Sequence, residues 1–409
     1  MLIYHSESDS LFWDANFKFE GADGALCNDV TGIPEWEIRA KKEGIVMGWG
    51  TGAVPEVIKG ASIAAPPPDK PKASRNPRAK KVAQAAVGII DALTFIEDAT
   101  ENEDHRAYVR VINNWVIAFD GGLAAAHPIE ADLALCPHLK RLKEAVGRAG
   151  ASLSLSAQEN GRLTVAGDGC RFTVPCVPGS ALAPVMPDPQ IAVLDDRLKA
   201  AMGIVLKLAK DDAERVFECS VLLRAGSVVG CNGNLALEAW HGIDLPPGLG
   251  IPHKAAKAIA KQSAKLTGFG FDYGRSATFY FENGAWIKTQ LMMEAWPDID
   301  RVLNQQVYFS PCPEKLFDAL DKILSFSEDG AVHFHEDKLR TTYGENEAGA
   351  LAGATYDVPG LAKGSSFTGS LLKLIAPFAK EVDYTTNPDH ILFIDREQLV
   401  RGTLTKRRA

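Results

Sequence analysis

The chain is 409 residues long, 46% apolar and 23% charged, which suits a globular protein of two to four domains, each with its own core. Its net charge of −8 excludes a surface coated throughout for phosphate binding, but not one that gathers some of its 44 Lys and Arg on a single face. No apolar run of about 18 residues and no basic-then-apolar leader is present, and seven scattered cysteines predict a reducing cytoplasm rather than a disulfide framework.

The first 63 residues carry Trp13, Trp36 and Trp49 and short β-like runs at Leu11–Phe19 and Trp36–Arg39, predicting a small appended β-rich module. Ala64 to Lys81, AAPPPDKPKASRNPRAKK, has three consecutive prolines and a basic, small-residue tail, the composition of an extended linker. An amphipathic helix is predicted over Val82–Glu97. Cys136-Pro137-His138 opens a second helix and Ile251-Pro252-His253 another, the prolines 115 positions apart and each read as a first-turn residue. Strands Ile191–Leu194 and Val307–Ser310 lead into helices Asp196–Lys210 and Pro313–Phe326, and a further helix is predicted over Ser370–Lys380. Strands starting at Phe172, Ile287 and Val400 keep nearly the same step, and Thr278–Glu282 and Ile391–Ile394 have the patterns of sheets packed on helices.

Each unit therefore reads strand, helix, strands, helix, strands. The predicted architecture is α+β, with a linker over 64–81 and three tandem domains over 82–189, 190–304 and 305–409. A period of about 115 residues is far longer than that of a solenoid, so each copy is expected to be a domain.

Trp296-Pro297-Asp298-Ile299-Asp300-Arg301-Val302-Leu303 resembles the aromatic-Pro-Asp-Tyr-x-Arg-Val-Leu segment of bacterial β-type DNA sliding clamps, the DNA polymerase III beta subunit family, with Ile299 in place of tyrosine. Gly250-Ile251-Pro252-His253-Lys254 is similar to that family's apolar-Pro-Arg-Lys helix start. Asn232-Gly233-Asn234-Leu235-Ala236 stands, in degenerate form, where the family carries Thr-Asp-Gly-His-Arg-Leu. The resemblance spans roughly residues 80 to 409 and finds no counterpart for the N-terminal module. It implies a non-catalytic processivity factor: a head-to-tail homodimer of three-domain chains, closing a ring around double-stranded DNA by pairing an edge strand of the first domain with one of the third. The divergence suits a phage-like member. No cofactor, metal or catalytic residue is implied.

Such a ring needs a lining that attracts phosphates without reading bases. The residues expected to face DNA are Lys140, Arg141, Lys143 and Arg148; Arg197, Lys199 and Lys207; Lys254, Lys257, Lys261 and Lys265; and Lys373 and Lys380. Lys254, Lys257, Lys261 and Lys265 have the spacing of one helical face, and like charges so placed repel unless something outside the helix compensates them. The resemblance also implies a groove between the second and third domains for short apolar peptides of the polymerase and clamp loader. Pro297, Arg301 and Val302 match the motif that lines it, Gly233 and Leu235 fall in the degenerate loop, and Leu371, Val400 and Leu404 are expected to close it.

Other chemistry is sparse. No GxxxxGK[ST] is present. His333-x-His335 places two imidazoles on one strand face without further ligands, which reads as surface. Cys170 and Cys176 read as core, and the pair Asp195-Asp196 as a helix cap. Two other readings stay open: a clamp-fold binding or inhibitory module that does not encircle DNA, and a DNA-processing enzyme with an N-terminal active site drawn from Trp13, Asp14, Asp23 and Asp29.

Overall fold

The computed structural model describes residues 88–409 apart from 103, 132, 159, 273–274, 293, 342–352 and 408–409, together with the backbone of strands within residues 2–58. The linker predicted over Ala64–Lys81, the start of the helix predicted over Val82–Glu97, and the side chains of Trp13, Asp14, Asp23 and Asp29 lie outside the described residues.

Two compact units make up the chain, Met1–Arg75 and Asn76–Ala409. The first contains strands β1 (Leu2–His5), β2 (Ser10–Trp13), β3 (Lys18–Glu20), β4 (Leu26–Cys27), β5 (Glu35–Ala40), β6 (Ile45–Thr51) and β7 (Val57–Ile58). They form antiparallel sheets of order β2-β1-β7 and β4-β3-β5-β6.

The second unit repeats one motif, a helix followed by an antiparallel three-stranded ribbon, six times among the described residues. The first is helix α1 over residues 88–95 with β8 (Arg110–Ile112), β9 (Trp115–Phe119) and β10 (Leu123–Pro128). Next come β11 (Cys136–Pro137), α2 (Leu139–Ala149), β12 (Ser154–Ala157), β13 (Leu163–Gly167), β14 (Cys170–Val174) and β15 (Cys176–Val177). The third motif follows β16 (Gln190–Val193) and comprises α3 (Asp196–Val205), β17 (Ser220–Leu223), β18 (Ser227–Cys231) and β19 (Leu235–Trp240). The fourth follows β20 (Leu249–Pro252): α4 (His253–Ala260), β21 (Leu266–Asp272), β22 (Ser276–Phe281) and β23 (Trp286–Gln290). A short α5 (Ile299–Leu303) and β24 (Ser310–Pro311) lead to α6 (Leu316–Ile323), β25 (Ala331–His335), β26 (Lys338–Arg340) and β27 (Thr355–Asp357). The last is β28 (Ser366–Thr368), α7 (Gly369–Leu374), β29 (Glu381–Asp383), β30 (His390–Asp395) and β31 (Val400–Thr405).

The motifs join in pairs by one rule: the last strand of one pairs antiparallel with the last strand of another. β10 pairs with β23, Leu123 opposite Thr289, giving the sheet β16-β21-β22-β23-β10-β9-β8. β19 pairs with β31, Leu235 opposite Leu404, giving β20-β17-β18-β19-β31-β30-β29-β24. Two motifs are left over, in sheets β12-β13-β14 and β27-β26-β25-β28, with their last strands β14 and β27 at the edges.

Side chains alternate across these strands with period two. On one face Leu235, Leu237 and Ala239 of β19 and Leu123 and Ala125 of β10 join the large core shared with the helices. Helix α2 gives it Leu139, Leu142, Ala145, Val146 and Ala149, a stripe at helical spacing. On the other face two smaller clusters form under the chain segments that connect successive repeats. Val185 covers Ala124, Ala126 and Trp286. Trp296, Ile299, Val302 and Leu303 cover Leu222, Val229, Cys231 and Ala236. Both faces of each joined sheet are therefore occupied, by helices on one side and connectors on the other.

Several boundaries differ from expectation. Pro137 and Pro252 each end a strand, and Pro252, at φ −52° and ψ 142°, is the N-cap of α4 rather than a residue of its first turn. Proline's fixed φ suits the extended approach as well as a helix. Helix α4 stops at Ala260, where Gln262 Nε2 donates to the Ala258 carbonyl (3.0 Å), so Lys265 lies beyond the helix and the four lysines do not share one helical face. Helix α7 stops at Leu374 with Pro377 just beyond, leaving Lys380 outside it. Helix α3 stops at Val205, short of Lys207.

One buried ion cluster ties the β19–β31 seam together. The carboxylate of Glu238, 2% exposed, accepts from Arg224 (2.9 Å), Ser227 Oγ (2.6 Å) and Arg401 (2.7 Å). Arg224 also reaches Asp300 of α5 (2.8 Å). Removing one partner of such a pair strands the others without a counter-charge. Glu238→Ala is accordingly expected to lower stability by about 3 kcal/mol; a urea midpoint unchanged from wild type would show that the cluster holds nothing together.

Candidate peptide groove and cationic face

The cations expected to face DNA divide by exposure. Lys140, Arg141, Arg148, Arg197, Lys207, Lys254, Lys257, Lys261, Lys265, Lys373 and Lys380 are exposed, and Lys143 is half-buried. Lys199 is turned inward: its Nζ donates to the carbonyls of Gln262 (3.1 Å) and Ala264 (2.8 Å) and pairs with Asp196 (2.9 Å). This geometry removes Lys199 from the expected set. Its ammonium is held by the carbonyls that follow α4, fixing α3 against α4.

Much of the compensation that closely spaced lysines need comes from within the chain. Lys254 pairs with Asp120 (2.5 Å) and Lys261 with Asp98, both carboxylates belonging to the first motif and the residues just after its helix. Lys143 pairs with Glu97 (2.6 Å) and Lys373 with Asp321. Arg197 holds Asp195 (2.8 Å), and that hydrogen bond lowers the Asp195 carboxyl below its ordinary range. The Asp195 side chain also caps α3 through the Arg197 amide (2.9 Å). Lys140, Lys257, Lys265 and Lys380 have no ion-pair partner among the described residues.

The groove lies on the other side of the β19–β31 sheet from the helices. It has a volume of about 340 Å³, and its walls include Gly233, Leu235, Pro297 and Val302, four of the eight residues expected there. Gly233 sits at φ +82° in the turn between β18 and β19, where Asn232 Oδ1 accepts from the amides of Asn234 (3.2 Å) and Leu235 (2.9 Å). The other four expected residues are elsewhere. Val400 and Leu404 are wholly buried on the helix side; Thr403 and Thr405 line the groove instead, because moving one residue along a strand changes the face. Leu371 packs against the main core from α7, and exposed Arg301 is not among the lining residues.

Several wall residues escaped the sequence. Arg215 lies over the Phe217 ring (5.3 Å to its centroid), and Phe217 stands 5.9 Å from the Trp296 ring. His390 comes from β30, directly opposite Thr405. Burial lowers its imidazole below the ordinary histidine range. Asp298 and Ile299 stood in the recognised segment and could have been included; nothing in the sequence marked His390 or Thr403.

Pro297, Asp298 and Ile299 also border a second cavity of about 420 Å³ toward Leu222, Arg224 and Leu249. Helix α5 is thus the partition between two adjoining spaces. Its N-cap is Asp298, which accepts from the Arg301 amide (3.2 Å).

Elsewhere, His333 Nδ1 lies 2.7 Å from Ser366 Oγ, and Cys170 Sγ donates to the Gly167 carbonyl (2.7 Å). Among the described residues no group of three or more His, Cys, Asp or Glu side chains could hold a metal ion, and no helix is long and apolar enough to cross a membrane.

Replacing Asp298 by Ala removes the cap of α5 and is expected to cost about 1 kcal/mol, while Asp298→Ser retains most of it. Hydrogen exchange at the Arg301 amide should quicken in the alanine variant; equal rates in both would deny the cap its role.

No protein-family description matches this sequence, and neither does any curated protein. Solved structures do. The Caulobacter crescentus polymerase III beta superposes with a TM-score of 0.68 at 15% identity, covering 79% of this chain and 98% of its own. The DNA polymerase III subunit beta of Pseudomonas aeruginosa gives 0.65 at 13%, over the same shares of each chain. The sliding clamp of Bartonella birtlesii bound to griselimycin gives 0.66 at 16%, again over the same shares. Across that 79% of its length, the chain has the α+β fold of the bacterial DNA polymerase III beta sliding clamps.

Proposed function

We propose that this chain is a sliding clamp: a non-catalytic, cytoplasmic ring that encircles double-stranded DNA and docks polymerase and clamp-loader peptides. The observation that carries the reading is the pair of unmatched motifs. Two of the three last-strand pairings that six motifs allow are made within the chain, and the third is left open as the edges of β14 and β27. A second copy supplies it: β14 of one chain against β27 of the next, twice, closes a head-to-tail dimer. Unpaired edge strands otherwise invite association with other chains. The clamp domains take the boundaries 82–189, 190–304 and 305–409 in this reading, with residues 1–63 an appended module.

Division of labour between the two sheet faces supports the same reading. Cations sit on and beside helices, and the groove opens on the opposite face, so DNA and a peptide can be held at once. Phosphate attraction on the helix side is diffuse and independent of sequence, as sliding requires. Exposed ion pairs such as Arg141–Glu144 are weak in water and can exchange for phosphate contacts.

Light scattering at micromolar concentration tests the ring. A mass of about 88 kDa, twice the 44.1 kDa of one chain, is expected. A stable monomer would instead favour a clamp-derived binding module that does not encircle DNA. For the dimer, retention on closed circular DNA and loss from linear DNA is expected.

The cationic face has its own test. Changing Lys140, Lys257 and Lys265 together to Ala should flatten the dependence of DNA affinity on salt, by about 0.9 in logarithmic slope for each phosphate no longer neutralised. Stability should hold, since these lysines have no ion-pair partner among the described residues; an unchanged slope would place the DNA elsewhere.

A further inference from the structure

The first joined sheet carries a counterpart of the groove, built at matching positions. Leu123 faces Thr289 across its seam as Leu235 faces Leu404 across the other. The Gln290 amide donates to the Gly122 carbonyl (2.9 Å), and the Thr405 amide to that of Asn234 (2.8 Å). Asp120 Oδ1 accepts from the amides of Gly122 (2.9 Å) and Leu123 (2.8 Å), as Asn232 Oδ1 accepts from those of Asn234 and Leu235. Ser276 stands opposite Gln290 where His390 stands opposite Thr405. Between these strands and the connector at Val185 lies an open space of about 510 Å³.

Its lining differs in charge. Phe119, Val185 and Leu291 give it apolar walls, but Lys288 takes the place of Thr403 and Gln290 that of Thr405. Arg275 precedes Ser276 as Asp389 precedes His390, so the charge beside that position is reversed. The Lys288 ammonium is turned inward, donating to Asp188 (2.5 Å), which is 4% exposed, and to the Met186 carbonyl (3.1 Å). Arg275 borders the space and is exposed, and its guanidinium has no ion-pair or hydrogen-bond partner among the described residues. A planar guanidinium in that setting can take a carboxylate in two parallel hydrogen bonds.

We propose that this first-seam groove docks an acidic peptide segment of a partner protein, with an apolar side chain against Phe119 and Val185 and an adjoining Asp or Glu carboxylate on Arg275. The site is separate from the β19–β31 groove and does not depend on closure of a ring. Asp272 borders the same space, so the single negative charge of a carboxylate suits it better than the two of a phosphate.

A displayed library of random octapeptides tests this, selected on the full-length chain carrying Thr405→Trp, which fills the β19–β31 groove from an exposed strand position. Urea midpoints verify that each variant is folded. Selected peptides are expected to share Asp or Glu beside an apolar residue, and to lose binding when Gln290→Trp fills the first-seam groove as well. Exchanging the acid for its amide, or Arg275 for Ala, should each weaken binding roughly tenfold. Making both changes should cost little more than either alone, since they remove one contact. Arg275→Glu should turn the selection toward Lys or Arg. Peptides that bind Gln290→Trp undiminished, or that stay within about twofold of full affinity on Arg275→Ala, would overturn the inference, as would a selection that yields no binder. Displacement by inorganic phosphate as effective as by free peptide would assign the space to phosphate and overturn it too.

Discussion

Strand β19 meets β31 from the far end of the chain, and that ladder is the contact on which the rest of the second unit depends. It merges two ribbons into one eight-stranded sheet, so neither motif needs a closed core of its own. It sets the register that sends Leu237, Ala239, Val400 and Leu404 to the helices, and Ala236 and Thr403 to the groove. Along the same seam Glu238 gathers Arg224 and Arg401, whose charges would otherwise be partly buried without a counter-ion. The β10–β23 ladder does the equivalent work for the first joined sheet.

Pairing motifs from successive repeats has a functional consequence. Because a joined sheet is covered by helices on one face and a connector on the other, the groove lies where a connector crosses a seam. Its floor therefore comes from β18, β19, β30 and β31, while one wall comes from α5. Helix α5 carries the segment with the clearest family resemblance and does three jobs there. Ile299 and Leu303 bury its inner side, Asp298 caps it, and Asp300 takes up Arg224.

Much of this was legible beforehand. The α+β repeat, its step of about 115 residues and the segment around Pro297 could all be read from periodicity and resemblance, because helical stripes and strand alternation are local. Helix ends were less legible: Lys265 and Lys380 continue a plausible spacing, yet Gln262 and Pro377 stop α4 and α7 before them. Four of the eight residues expected at the groove border the cavity there, whereas Val400 and Leu404 are buried on the helix side of β31.

The amino-acid sequence by itself determined which stretches are helix or strand, how often the pattern recurs, and which short segment marks the groove, since each is set by neighbours within a few residues. Only the tertiary structure decided that last strands pair with last strands, that Lys199 is spent on carbonyls after α4 while Lys257 is not, and that Thr403 and His390 share a wall. Those outcomes turn on register between strands far apart in the chain, where a shift of one residue exchanges the buried face for the exposed one and leaves local pattern and composition unchanged.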